Sequence, residues 1–91
     1  MSDDPAPFHL PIDGVLDLHA FAPADVRSVV EEYVTSAHAA GLAEIRIVHG
    51  RGRGVQRGIA QAALERHPLV IEFWDETESH LGATVARLKG V

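Results

Sequence analysis

The stretch Ile45-Arg46-Ile47-Val48-His49-Gly50-Arg51-Gly52-Arg53-Gly54 constrains the fold more than any other part of the chain: a short apolar run breaks into glycines alternating with arginines, and a second periodic segment follows. The pattern reads as strand, turn, helix. Glycine at every second position removes Cβ atoms and admits positive φ, so the backbone can turn tightly and bring its N–H groups against an anion. The helix beyond presents unpaired amides at its amino end to the same place. With His49 before the turn and Arg51 and Arg53 within it, the segment suits phosphate or another oxyanion. Gly50, Arg51, Gly52, Arg53, Gly54 and Arg57 are the candidate phosphate-binding residues.

The rest of the chain is read around that segment. Residues 1–13 hold Pro5, Pro7 and Pro11, with Phe8, Leu10 and Ile12 alternating between them, and are expected to form an extended arm ahead of a domain over 14–91. Val15–His19 alternates as a first strand, with Leu16 and Leu18 on one face and Val15, Asp17 and His19 on the other. Ala22–Ala40 is a helix, because Val26, Val29, Val30, Tyr33, Val34 and Ala37 recur at spacings of three and four. Pro23 suits its first turn, Asp25 complements the dipole, and Gly41 is placed to end it. Glu44–Val48 is a second strand. Val55–Arg66 is a second helix, with Val55, Ile59, Ala62 and Ala63 expected inward and Gln56, Arg57 and Glu65 outward. Leu69–Trp74 is expected as a third strand, buried on both faces at its start, and Ala83–Leu88 as a fourth. The order is βαβαββ: an α/β two-layer sandwich with a four-stranded mixed or mostly parallel sheet packed with two helices.

Composition narrows the function classes. The 91 residues, 46% hydrophobic, suffice for one domain with one core. With no cysteine there are no disulfides, thiolate metal sites or cysteine nucleophiles. No apolar run is long enough for a membrane span and no basic-then-apolar leader opens the chain, so a cytoplasmic protein without a membrane partner is expected. The net charge of −5 argues against a general nucleic-acid binder. Its distribution matters more: Arg46, Arg51, Arg53 and Arg57 fall between positions 46 and 57, where there is no acid.

The topology adds a chemical consequence. If the first two strands are parallel, their carboxyl ends share one edge of the sheet with the amino ends of both helices. Neighbouring strands are about 4.8 Å apart. His19 and His49 are therefore expected to converge on one crevice, with Asp17 behind and the arginines around it.

Leu16-Asp17-Leu18-His19, followed about thirty residues on by His49-Gly50-Arg51-Gly52, resembles the paired LDxH and HGxG signatures of the Smr (small MutS-related) domain. The resemblance runs from about Asp13 to Leu88, so the chain looks like a stand-alone Smr protein. Gly82-Ala83-Thr84-Val85 resembles the glycine-rich segment before the last strand of that family, which makes Gly82 and Thr84 auxiliary positions. Smr domains are similar in fold to the C-terminal domain of a bacterial translation initiation factor, and several nick DNA or cut RNA. The resemblance thus implies a structure-preferring DNA or RNA endonuclease, with Asp17, His19, His49, Gly50 and Gly52 at the matching positions and branched or structured nucleic acid as the partner.

Phosphodiester hydrolysis needs a base, an acid and positive charge on the phosphoryl group. Histidine titrates near neutrality, so His19 and His49 are candidate catalytic residues, with Asp17 orienting one ring. A Mg²⁺ or Mn²⁺ ion on Asp17 and His19 is the metal-dependent alternative. The competing function is a non-catalytic module that binds nucleic acid or a protein through the same basic edge. A small-molecule phosphate site is disfavoured: the loop lacks the GK[ST] ending of a P-loop, and Val55 stands where a dinucleotide fingerprint has its third glycine. Phe21, Phe73 and Trp74 are available for base stacking or for the core.

Overall fold

The structure, a computed structural model, describes residues 12–50, 54–76 and 82–90. Its elements are β1 (Val15–Asp17), a single 3₁₀ turn (Leu18–Ala20), α1 (Pro23–Ala39), β2 (Glu44–Val48), α2 (Val55–Arg66), β3 (Val70–Glu76) and β4 (Ala83–Leu88). The sheet order is β1-β2-β4-β3. Only β1 and β2 run parallel, while β4 is antiparallel to both β2 and β3. The sheet is therefore mixed and not mostly parallel, and both helices contribute to one core against one of its faces.

The first helix forms where the apolar stripe places it. Val26, Val29, Val30, Tyr33, Val34 and Ala37 are all buried, Pro23 occupies the first turn and Asp25 lies beside it. At the other end the Leu42 amide donates to the Ala37 carbonyl at 3.0 Å while Gly41 takes φ +85°, which ends the helix in a left-handed turn. The stripe shares a core with Leu16, Ile45, Ile47, Ala86 and Leu88, inward residues of three strands, and with Leu18 of the 3₁₀ turn. Tyr33 is buried, and its hydroxyl accepts a 3.0 Å hydrogen bond from the Gly14 amide, which fixes where the chain enters β1. Burial pushes the Tyr33 phenol up from its ordinary pKa, against the opposing pull of that amide.

Three sequence expectations shift. The first strand stops at Asp17 and not His19, because the Asp17 carboxylate accepts the His19 amide and turns the chain. On α2 Ala63 is buried and Ile59 packs against the core as expected, but Ala60 and Leu64 complete the inward stripe while Ala62 is exposed and Val55 is 54% exposed. Gln56 falls at the amino end of this stripe, and its side chain turns inward accordingly, donating to the Phe21 carbonyl at 2.8 Å and the Leu18 carbonyl at 3.4 Å. The third strand is an edge strand with a register shift between Val70 and Glu72, so Ile71 is 51% exposed and the start of the strand is not covered on both faces. Phe21 and Phe73 pack against the core, whereas Trp74 is exposed.

On the opposite face Arg46 of β2 pairs with Glu76 of β3 across β4, and Arg87 pairs with Glu72 at 2.6 Å. Among the described residues no helix is long and apolar enough to cross a membrane. Of the expected arm, Ile12 packs against the core, and residues 1–11 lie outside the described residues.

Because the Tyr33 hydroxyl is the acceptor for the Gly14 amide, Tyr33→Phe leaves a part-buried donor without its partner. The variant is expected to lose about 1 kcal/mol of stability, a fall of roughly 4–8 °C in Tm for a domain of this size, with its far-ultraviolet circular dichroism unchanged.

Candidate functional site

The site begins with a local device at the end of β1. The Asp17 Oδ1 atom accepts the His19 amide at 2.9 Å, and the Phe21 amide donates to the Leu18 carbonyl at 3.0 Å, so the chain makes one 3₁₀ turn. That turn swings the His19 ring back until its Nδ1 lies 2.6 Å from the same Asp17 oxygen. Both side chains remain largely exposed, at 62% for His19 and 63% for Asp17. The His19 backbone amide foremost, then the His19 ring, holds the Asp17 carboxyl below the usual aspartate pKa despite a small opposing effect of burial. An ionised carboxylate only accepts, so the proton between them sits on Nδ1 and Nε2 is the atom left to exchange protons.

The Nε2 side of His19 reaches the second motif. It lies 3.1 Å from the position a Cβ on Gly50 would occupy, and Gly50 has φ +82°. Any side chain there would press on the imidazole and hold its own backbone in a disfavoured region, so this position calls for glycine on two grounds. The carboxyl ends of β1 and β2 do meet, but the contact is between His19 and Gly50.

His49 borders a cavity at this edge but is more deeply set than an open crevice would leave it. Its ring is buried, with Nδ1 3.1 Å from the Gly50 carbonyl and Nε2 2.9 Å from the Thr84 hydroxyl. The auxiliary positions explain this. Gly82, just before β4, accepts the His49 and Gly50 amides on its carbonyl, both at 3.0 Å. Thr84, fully buried two residues on, takes the ring. A parallel pair alone would have left His49 at the edge, whereas β4 inserted between β2 and β3 supplies a hydrogen-bonding wall that draws it inward.

The cavity, of about 240 Å³, opens beside this wall, lined by His49 and Gly50 together with Gly54, Arg57, Asp75 and Gly82 among others. Gly54 opens α2 in a left-handed conformation. Arg57 lies in the cavity wall but is held by Asp75 through two hydrogen bonds, of 2.9 and 2.5 Å. That bond is the main reason the Asp75 carboxyl lies below its usual pKa and the guanidinium above its own. Arg51, Gly52 and Arg53, expected to hold phosphate, lie outside the described residues. Of the residues expected to hold a metal, Asp17 and His19 lie against each other, and among the described residues no group of three potential ligands forms. Moreover, the Asp17 oxygen nearest His19 already accepts two hydrogen bonds.

Sequence reasoning missed three contributors. Gln61 donates to Thr84 and to Asp75, both at 2.9 Å. Its signal was its position four residues after Arg57, which places the two on one helix face. Asp75 falls just beyond the expected third strand, Leu69–Trp74, whereas the observed β3 runs on to Glu76 and carries it. Gln56, read as outward, ties α2 to the turn that carries His19.

The depressed Asp17 value has a definite sign. Stabilisation from this group is complete above the unfolded aspartate value near 4 and is lost as pH falls through the lower folded value. The difference in Tm between the protein and Asp17→Asn is therefore expected to be full above about pH 5 and to shrink steadily below about pH 4, as followed by thermal melts across that range.

Comparison with known proteins accords with this geometry. Residues 16–89 match the Smr domain family model. The chain is 39% identical over 80 residues to Endonuclease MutS2 of Caldicellulosiruptor bescii, and 37% identical over 76 residues to that of Halalkalibacterium halodurans. These matches cover 86% and 81% of the chain but only about a tenth of the length of those relatives. The crystal structure of the Smr domain of Thermus thermophilus MutS2 superposes with a TM-score of 0.76 at 31% identity, covering 82% of this chain and 96% of that one. The paired motifs, the mixed four-stranded sheet with two helices and these matches agree: the chain belongs to the Smr domain family.

Proposed function

We propose that this domain binds nucleic acid and hydrolyses its phosphodiester bonds, with His19 as the residue that moves the proton. The observation that carries the reading is the exposed Asp17–His19 pair, in which the carboxylate fixes Nδ1–H and leaves Nε2 facing the Gly50 edge. Membership of the Smr family and the name endonuclease borne by the MutS2 relatives support it.

The step follows from the groups present. A water molecule beside His19 gives its proton to Nε2 as its oxygen bonds to phosphorus. Asp17 stabilises the imidazolium that forms. The phosphorus–oxygen bond to the leaving ribose breaks, the leaving oxygen takes a proton from solvent, and the imidazolium later releases its own. Substrate positioning falls to the cavity beside Gly50 and Gly82, with Arg51 and Arg53 next to it in the chain. His49 borders that cavity, but with both ring nitrogens matched to protein atoms its proposed role is to hold the Gly50 backbone and not to move the proton.

The second reading, a module that binds without cutting, is favoured by the Arg57–Asp75 pair, which removes one expected phosphate ligand from free play. The two separate on a supercoiled plasmid, a branched duplex and a structured RNA. A salt-dependent gel shift that weakens in the Arg51→Ala plus Arg53→Ala variant, with no cleavage of any of the three, identifies the module.

His19→Ala is expected to lower the cleavage rate by about 10²–10⁴-fold with Tm nearly unchanged, because the ring is exposed. His49→Ala removes a buried, doubly bonded ring and is expected to cost about 1–3 kcal/mol of stability. Cleavage by His19→Ala at the rate of the unaltered protein would remove His19 from the reaction.

A further inference from the structure

Four side chains at the cavity wall and behind it form a connected chain that the reaction above does not use directly. Asp75 and Thr84 are register partners on β3 and β4, and Arg57 and Gln61 stand one turn apart on α2. Gln61 joins the two pairs. Its amide nitrogen carries two hydrogens, and both are committed: one to Thr84 Oγ1 and one to Asp75 Oδ1, each at 2.9 Å.

The direction of the remaining bonds follows. Thr84 Oγ1 accepts from Gln61 and has one hydrogen of its own, and the His49 Nε2 atom lies 2.9 Å away. The Gly50 carbonyl near Nδ1 can only accept, so Nδ1 carries a hydrogen. In the neutral ring Nε2 is then bare and receives the Thr84 hydroxyl hydrogen. The hydrogens run one way, from Gln61 to Thr84 to His49 to the Gly50 carbonyl. The Gly50 peptide is thereby held from both sides, its amide on the Gly82 carbonyl and its carbonyl on His49. It is against Gly50 that the His19 ring rests.

The geometry points to Gln61 as a positioning residue of the candidate site: by donating to Thr84 it turns the Thr84 hydrogen toward His49 Nε2 and so reinforces the Nδ1–H form that the Gly50 carbonyl favours, and with it the Gly50 backbone that seats His19, while its other hydrogen holds the Asp75 carboxylate that orients Arg57. The consequence for cleavage rests on the function proposed above, whereas the consequence for the His49 ring does not. Nothing in the amino-acid type alone marks Gln61 for this task. What marks it is that a donor is required at this point, because an acceptor there would compete for the single Thr84 hydrogen.

The test uses imidazole nitrogen NMR on the intact protein and two variants, with a nuclease assay beside it. Gln61→Glu keeps the shape but turns a donor into an acceptor, so the Thr84 hydrogen is drawn away from His49 and the ring proton is expected to move to Nε2. Gln61→Leu removes the donor without adding an acceptor, so the Thr84 hydroxyl is no longer directed while the Gly50 carbonyl still favours Nδ1–H, and a minor Nε2–H population beside the main Nδ1–H form is expected. Both should lower cleavage by about 10–100-fold, as loss of outer hydrogen-bond partners does at other sites, mainly in kcat. The unaltered protein should show only Nδ1–H on His49. An Nε2–H ring in the unaltered protein, or an unchanged Nδ1–H ring in both variants, would overturn the role of Gln61 whatever the assay gives. Absence of cleavage by the unaltered protein with the expected ring pattern would instead leave Gln61 in place and overturn the nuclease reading.

Discussion

One backbone carbonyl organises the functional edge of this domain. Gly82 accepts two successive amides, those of His49 and Gly50, and so joins the end of β2 to the start of β4 where regular pairing has already stopped. The amides of a chain leaving a sheet are normally left to water, and at a part-buried edge that costs roughly 1–3 kcal/mol each. With both satisfied by one acceptor, the chain can leave β2 at φ +82° and present the bare backbone of Gly50. His19 uses that bareness, since its ring approaches to a distance at which a Cβ would collide. Two motifs thirty residues apart in sequence are thus joined by a contact that works because one partner has no side chain.

Among the described residues arginine charge is arranged by pairing, at the functional edge for Arg57 and on the opposite face of the sheet for Arg46 and Arg87. In a chain of net charge −5, Arg57 is held by Asp75, Arg46 by Glu76 and Arg87 by Glu72. Exposed ion pairs of this kind contribute little stability. Their larger effect is on direction: an arginine held at two nitrogens by a carboxylate presents its remaining hydrogens along fixed lines. The acidic total is therefore compatible with a localised anion-facing edge, because several of the carboxylates are spent orienting arginines instead of forming a repulsive surface.

The sequence made most of the frame legible. The stripe of α1 and the runs of β2 and β4 coincide with the observed elements, because each has a strong period and a clear boundary such as Pro23 or Gly41. The weaker elements misled for physical reasons. Val15–His19 alternates to its end, yet a carboxylate able to accept the amide two residues on stops the strand at Asp17. The short second helix contains alanines at 60, 62 and 63, so two neighbouring stripes fit its composition, and tertiary packing chose the one that includes Gln56. Leu69–Trp74 reads as interior because it is apolar, but β4 takes the central place and leaves β3 at the edge. The site residues named from the motifs were legible one by one, and the bonds among Gln61, Asp75 and Thr84 were not. Those depend on which strand lies beside β2, and no local pattern states that.

The two histidines show how one residue type is divided between two tasks by its surroundings alone. His19 stands at the surface, one nitrogen fixed by a carboxylate and the other lying against the bare backbone of Gly50, the arrangement on which the proposed proton transfer rests. His49 is enclosed, and each nitrogen is matched to a protein atom. Leaving either bond unmade in the interior would cost more than making it gains, so the ring is locked in orientation. A histidine is suited to this lock because it offers a donor and an acceptor on opposite sides of a rigid plane and can span from β4 to the peptide of the next residue. A serine could not reach both, and a lysine has no acceptor. The residue that follows must then turn away with positive φ and carry no side chain, since the first histidine is already there. The physical content of the second motif is thus a rigid spacer followed by a vacancy, and its purpose is served by the first motif.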